Sequence, residues 1–162
     1  MKTEYILSII FFFPLLIIQT TVIPLIAING IAPDLIIILL VFYTIRNGQV
    51  YGTVLGFIYG FLFDIITGSL LGSSMLAKTL AGFIAGYFSN ENKIDTYFKA
   101  HNFALIVLLC SVINSVINAF FSSIELNTNL LSLIFQLGLL PGIYTAVFSL
   151  IIVIFKPRRS FS

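Results

Sequence analysis

Charge is what this sequence has least of. Only 9% of its 162 residues are Asp, Glu, Lys or Arg, against about a quarter in an ordinary soluble domain. A soluble fold of this size must cover most of its outside with polar groups, and this chain has too few. Its net charge of +2 is too small to hold nucleic-acid phosphates, so no nucleic-acid partner is expected. Tryptophan is absent, and a single cysteine, Cys110, excludes an internal disulfide and a thiolate metal cluster. The one histidine, His101, has no HExxH partner, and there is no phosphate-binding Walker loop. No serine is expected at the depth of that histidine, which disfavours a serine hydrolase. These absences predict a non-enzyme without metal or cofactor.

What remains is apolar. Hydrophobic residues make up 59% of the chain and phenylalanine alone contributes 17 positions. A bilayer accepts such a surface, provided that every backbone group is satisfied inside a helix or a closed barrel. A crossing helix needs about 20 mostly apolar residues, within a range of about 17–25. The chain divides into segments at 5–26, 33–44, 49–66, 70–88, 102–122 and 130–155. The breaks fall at Ile28-Asn29-Gly30, Arg46-Asn47-Gly48, Thr67-Gly68-Ser69, Ser89-Asn90-Glu91-Asn92 and Asn127-Thr128-Asn129, all turn-forming runs. The second segment is short and reads either as a half-span or as a tilted one. Met1-Lys2 before an apolar run resembles the start of a signal peptide. That run is too long for a signal core and no small-residue cleavage site follows it, so it is read as a retained first span.

Basic residues set the orientation. With six spans and a cytoplasmic N-terminus, Lys2, Arg46, Lys93, Lys99, Lys156, Arg158 and Arg159 all fall on the cytoplasmic side, as the distribution of Lys and Arg about membranes requires. Asp34 and Glu125 fall near the outer loops. The expectation is one all-α domain over residues 1–162, a polytopic bundle of six transmembrane helices with both termini cytoplasmic.

Two patterns carry the interior. Gly52, Gly56 and Gly60 recur at four-residue spacing, continued by Gly68 and Gly72 and repeated by Gly82 and Gly86. Such a stripe lets another helix approach closely, either within the bundle or from a partner protein. The second pattern is polar. Asp64 and Lys78 lie within apolar segments, where ionisable groups are costly and usually paired; an ion pair or a water-bridged contact between them is predicted. Asn114 and Asn118 share a helix face, and Gln19 and Gln136 fall in the same outer half. This cluster either sets helix register or lines an outward-facing ligand pocket.

The run Pro33-Asp34-Leu35, then Gly52-x3-Gly56-Phe57-x2-Gly60-x3-Asp64-x3-Gly68-x3-Gly72, then Leu76-Ala77-Lys78-Thr79 and Gly82-Phe83-x2-Gly86 resembles the MreD family of bacterial rod shape-determining membrane proteins. The resemblance is best over residues 31–90; the other segments agree in hydropathy more than in motif. It implies a scaffold in the inner membrane, within the elongation machinery that builds lateral peptidoglycan. The implied partner is MreC, with RodA, a class B penicillin-binding transpeptidase and the filament MreB in the larger complex. Membrane lipid is expected around the helices and at the basic tail Lys156-Pro157-Arg158-Arg159. The implied architecture is shared with the substrate-binding components of energy-coupling-factor transporters, so a vitamin-binding component is the alternative. Those components often carry small residues at Ala-x3-Ala spacing on helix one, whereas this chain has the bulky run Ile9-Ile10-Phe11-Phe12-Phe13-Pro14-Leu15-Leu16.

Overall fold

A computed structural model describes residues 2–27, 31–90, 94–126 and 140–155. Helices account for nearly all of them. The long apolar run at the start forms α1 (Lys2–Thr21), with Pro14 inside it, followed by a short 3-10 turn (Ile23–Ile26). Asp34 then opens α2 (Leu35–Asn47), its carboxylate accepting from the amides of Ile36 and Ile37. This is the bond that an N-terminal cap supplies to otherwise unpaired helical N–H groups. Gly48, at φ +101°, turns the chain directly into α3 (Gln49–Thr67). Gly68 and Gly72, at φ +67° and +106°, turn it again into α4 (Ser73–Gly86). A single turn, α5 (Ile94–Tyr97), precedes α6 (Ala100–Leu126) and then α7 (Leu140–Phe155).

The helix α2 is the axis of the bundle. It packs against α1, α3, α4, α6 and α7, and Leu35, Ile36, Ile37, Ile38, Leu40, Val41, Tyr43, Thr44 and Ile45 along it are buried. Its 13 residues rise only about 20 Å. That is less than the roughly 30 Å hydrocarbon core of a bilayer, but its neighbours cover it, so its length is not set by the surroundings. α3, at 19 residues, and the 23 residues Ala100–Ser122 of α6 are long and apolar enough to cross a membrane. Each predicted segment has a helix within it, with ends displaced by a few residues. Of the last segment, 130–139 lies outside the described residues.

The glycine spacing explains how α3 and α4 lie antiparallel in contact. A Cβ on Gly56 would collide with the backbone carbonyl of Lys78, one on Gly60 with Ser74 and Met75, one on Gly82 with the backbone of Gly52, and one on Gly86 with Gln49. Gly52 additionally receives the side chain of Thr44 from α2. The stripes are therefore filled by neighbours of the same chain. Gly68 and Gly72 do something else. A Cβ at either meets nothing within 4 Å, and their positive φ values make them turn residues. The packing stripe predicted through them thus ends at Gly60, because the helix itself ends at Thr67.

α1 is fastened by different means. Tyr59 of α3 donates its hydroxyl to the carbonyl of Ser8 at 2.8 Å, and the Ser8 hydroxyl meets the Tyr51 hydroxyl at 2.9 Å. Phe12 stacks on Tyr59 with ring centroids 4.4 Å apart. α6 and α7 close the far side, where Gly142 admits Val112 and accepts from the Ser111 hydroxyl at 3.1 Å. The outward faces are apolar, among them Ile10, Phe11, Ile17, Phe57, Phe61, Phe83, Leu105, Ile143 and Val147.

The α3–α4 contact is backbone against backbone, so it has little room to relax. Gly56→Ala is expected to destabilise the purified protein by about 2–3 kcal/mol, as overpacking does. Val54→Ala, on the 43%-exposed outer face of the same helix, is expected to cost about 0.5 kcal/mol or less. Denaturant or thermal unfolding in detergent measures both, and equal effects would remove the glycine contact as the reason for the spacing.

Candidate functional site

The polar groups of the interior converge on Pro33-Asp34-Leu35, the entry to α2. One carboxylate oxygen of Asp34, Oδ1, accepts from the amides of Ile36 and Ile37 at 3.0 and 3.2 Å. The other, Oδ2, faces the interior. Lys78 of α4 places Nζ 3.5 Å from it, and the Asn114 amide of α6 donates to it at 3.3 Å. The Asp34 amide donates to the Thr145 hydroxyl of α7 at 2.9 Å, and that hydroxyl donates its own proton to the carbonyl of Pro141 at 2.7 Å. Gln19 of α1 brackets the same peptide units. Its Nε2 donates to the Pro33 carbonyl and its Oε1 accepts from the Leu35 amide, both at 2.9 Å. From α3, the ring of Phe63 lies 4.6 Å from the Lys78 ammonium, within cation–π range. Side chains from α1, α3, α4, α6 and α7 thus meet at the start of α2.

Burial makes this cluster consequential. The Lys78 side chain is 2% exposed and that of Asp34 22%. An unpaired ammonium at that depth would carry a large desolvation cost, and a carboxylate with further hydrogen-bond donors is what offsets it. Asp34 also lies at the positive end of the α2 dipole, which favours its charge.

The carboxylate that pairs with Lys78 is thus Asp34 and not Asp64, correcting the predicted pair. The antiparallel register is the reason. Lys78 is level with Gly56, whereas Asp64 is eight residues further along α3, roughly 12 Å away along the axis. There Asp64 reaches the loop and first turn of α4. It accepts from the Ser69 hydroxyl and the Gly72 amide at 2.9 Å, and from the Ser74 and Met75 amides at 3.2 Å. Asp64 caps one helix as Asp34 caps another, but without a cation among the described residues.

Of the other predicted residues, Gln19 and Asn114 belong to the cluster. Asn118 lies one turn further along α6, half-buried. Gln136 lies outside the described residues. Pro33 and Asp34, singled out only as a motif, prove central. Asp directly before an apolar helical run is a sequence signature of a cap, and that signal marks Asp34 independently of any resemblance. Thr145 and Phe63 carry no comparable local signal; only the packing of α7 and α3 brings them in.

The arrangement has the form of a structural clamp, with charge and hydrogen bonds inside and apolar side chains outside. Such a helical bundle defines a class, and the comparison with known families then narrows it. The chain matches the family described as rod shape-determining protein MreD over residues 1–159. It therefore belongs to the MreD family. No curated protein and no solved structure matches it.

The pairing can be separated from the capping. Asp34→Asn leaves Lys78 without its counter-charge and is expected to destabilise by about 2–4 kcal/mol, below the fully buried case because Asp34 keeps some solvent. Adding Lys78→Met should restore part of that loss. A double-mutant cycle on Asp64 and Lys78 should show no coupling of similar size. Coupling in the second cycle and none in the first would reverse the assignment.

Proposed function

We propose that this chain is a non-catalytic membrane scaffold of the bacterial elongation machinery, which supports rod shape by holding MreC beside the enzymes of lateral peptidoglycan synthesis. The observation that carries this reading is the family match over residues 1–159. In the proposed topology six helices cross the cytoplasmic membrane and both termini are cytoplasmic. Two features support it. Large apolar side chains face outward on α1, α3, α4, α6 and α7 while Asp34, Lys78 and Asn114 turn inward, the distribution suited to lipid. The basic residues also fall on one side when six spans are threaded.

A scaffold of this kind works by shape. The contacts around Asp34 fix how α1, α2, α4, α6 and α7 stand relative to one another, and so fix the surface offered to a partner's helix. The glycines of α3 and α4 are already filled from within, so the partner surface in this reading lies on the outward apolar faces. RodA, the class B penicillin-binding transpeptidase and MreB are then reached through the assembled complex.

Tagged protein recovered from its native membrane in mild detergent is expected to bring down MreC together with wall-synthesis enzymes, and depletion in cells is expected to round them. Recovery of an ATP-binding cassette pair or of a tightly held vitamin, with cell shape unchanged on depletion, would overturn this reading in favour of a transporter component.

A further inference from the structure

Asn114 is left half-satisfied. Its side chain is buried, the residue being 3% exposed, and its Nδ2 donates to Asp34 Oδ2, but among the described residues its Oδ1 has no hydrogen-bond partner. Reversing the amide does not remove the problem, because it would set Oδ1 against the carboxylate. The unpaired atom is therefore an acceptor, fixed in that role by its neighbour's charge. Buried polar atoms are almost always paired, with protein or with water.

Lys78 has the opposite imbalance. An ammonium carries three N–H donors. Among the described residues they face one carboxylate oxygen at 3.5 Å and one aromatic ring at 4.6 Å. That oxygen is further away than the roughly 2.7–3.2 Å of an ordinary N–H···O bond. Both imbalances lie at the same place, since Lys78 Nζ and Asn114 Nδ2 approach the same atom, Asp34 Oδ2. Asp34 is also the most exposed of the three.

We propose that a water molecule is bound between Lys78 Nζ and Asn114 Oδ1, accepting from the ammonium and donating to the amide carbonyl, so that the ion pair at the centre of the bundle is a hydrated one. The ligand is neutral because the pair is. Lys78 would repel a cation, and Asp34 an anion. With Asp34 Oδ2 beside it, such a water has the two to four polar partners that internal waters need.

The probe is water itself. Purified full-length protein in lipid nanodiscs is exposed to a hydroxyl-radical pulse in water carrying a heavy oxygen isotope, and incorporation is read by mass spectrometry. Phe63, against Lys78 Nζ, is the reporter; Phe42 and Phe148, half-buried as Phe63 is, are the references. Phe63 is expected to take up severalfold more label than the references. Asn114→Leu is expected to lower the Phe63 value severalfold while melting temperature and elution volume stay those of a folded protein. Labelling of Phe63 equal to the references, or unchanged in a folded Asn114→Leu variant, would overturn the proposal. If that variant does not fold, a wild-type density map that resolves waters decides. A peak within hydrogen-bond reach of both atoms supports the site, and a dry contact there contradicts it.

Discussion

A carboxylate that must serve a helix end and a buried cation at once constrains the rest of this fold. Asp34 spends Oδ1 on the first turn of α2 and Oδ2 on Lys78 and Asn114. The two tasks suit one residue. A cap is fixed in direction by the helix it closes, so the free oxygen is fixed too, and α4 and α6 have to bring their polar side chains to it. Gln19 and Thr145 then bind the flanking peptide units, which a helix start leaves available. Polar groups that would each be costly in an apolar interior satisfy one another, with the Asn114 carbonyl as the exception among the described residues.

Two kinds of contact divide the work. Between α3 and α4 the glycines bring backbones together and set register by steric exclusion. Around Asp34, hydrogen bonds and charge set the positions of α1, α4, α6 and α7 relative to the start of α2. The first kind is local to one hairpin and resists sliding. The second joins the hairpin to α1, α6 and α7. The proposed scaffold role would need both, because a surface is only as defined as the helices that carry it.

The legible part of this architecture is periodic. Hydropathy locates the helices, and the four-residue glycine spacing locates their closest pair. Level and connectivity are what sequence reasoning misses. Asp64 and Lys78 are both ionisable groups within adjacent apolar segments, and pairing them is the simplest expectation. It fails because the turn through Gly68 and Gly72 folds back onto Asp64, which then has backbone amides to cap and lies two turns from Lys78. Asp34 reads as a loop residue because it precedes a helix. Its position as a cap is readable, but the arrival of Lys78 from α4 and Asn114 from α6 depends on how the helices pack, which no local pattern encodes. Gly68 and Gly72 continue the spacing of the stripe for a reason unrelated to packing, namely two left-handed turns.

The central claim is that Asp34 unites helices as well as capping one. Amide hydrogen exchange on purified wild-type and Asp34→Ala protein in the same detergent tests it most directly. Loss of protection is expected at Ile36 and Ile37, and also around Gln19, Lys78, Asn114 and Thr145, on four other helices. Loss confined to the first turn of α2 would contradict the claim, because Asp34 would then be a cap and nothing more.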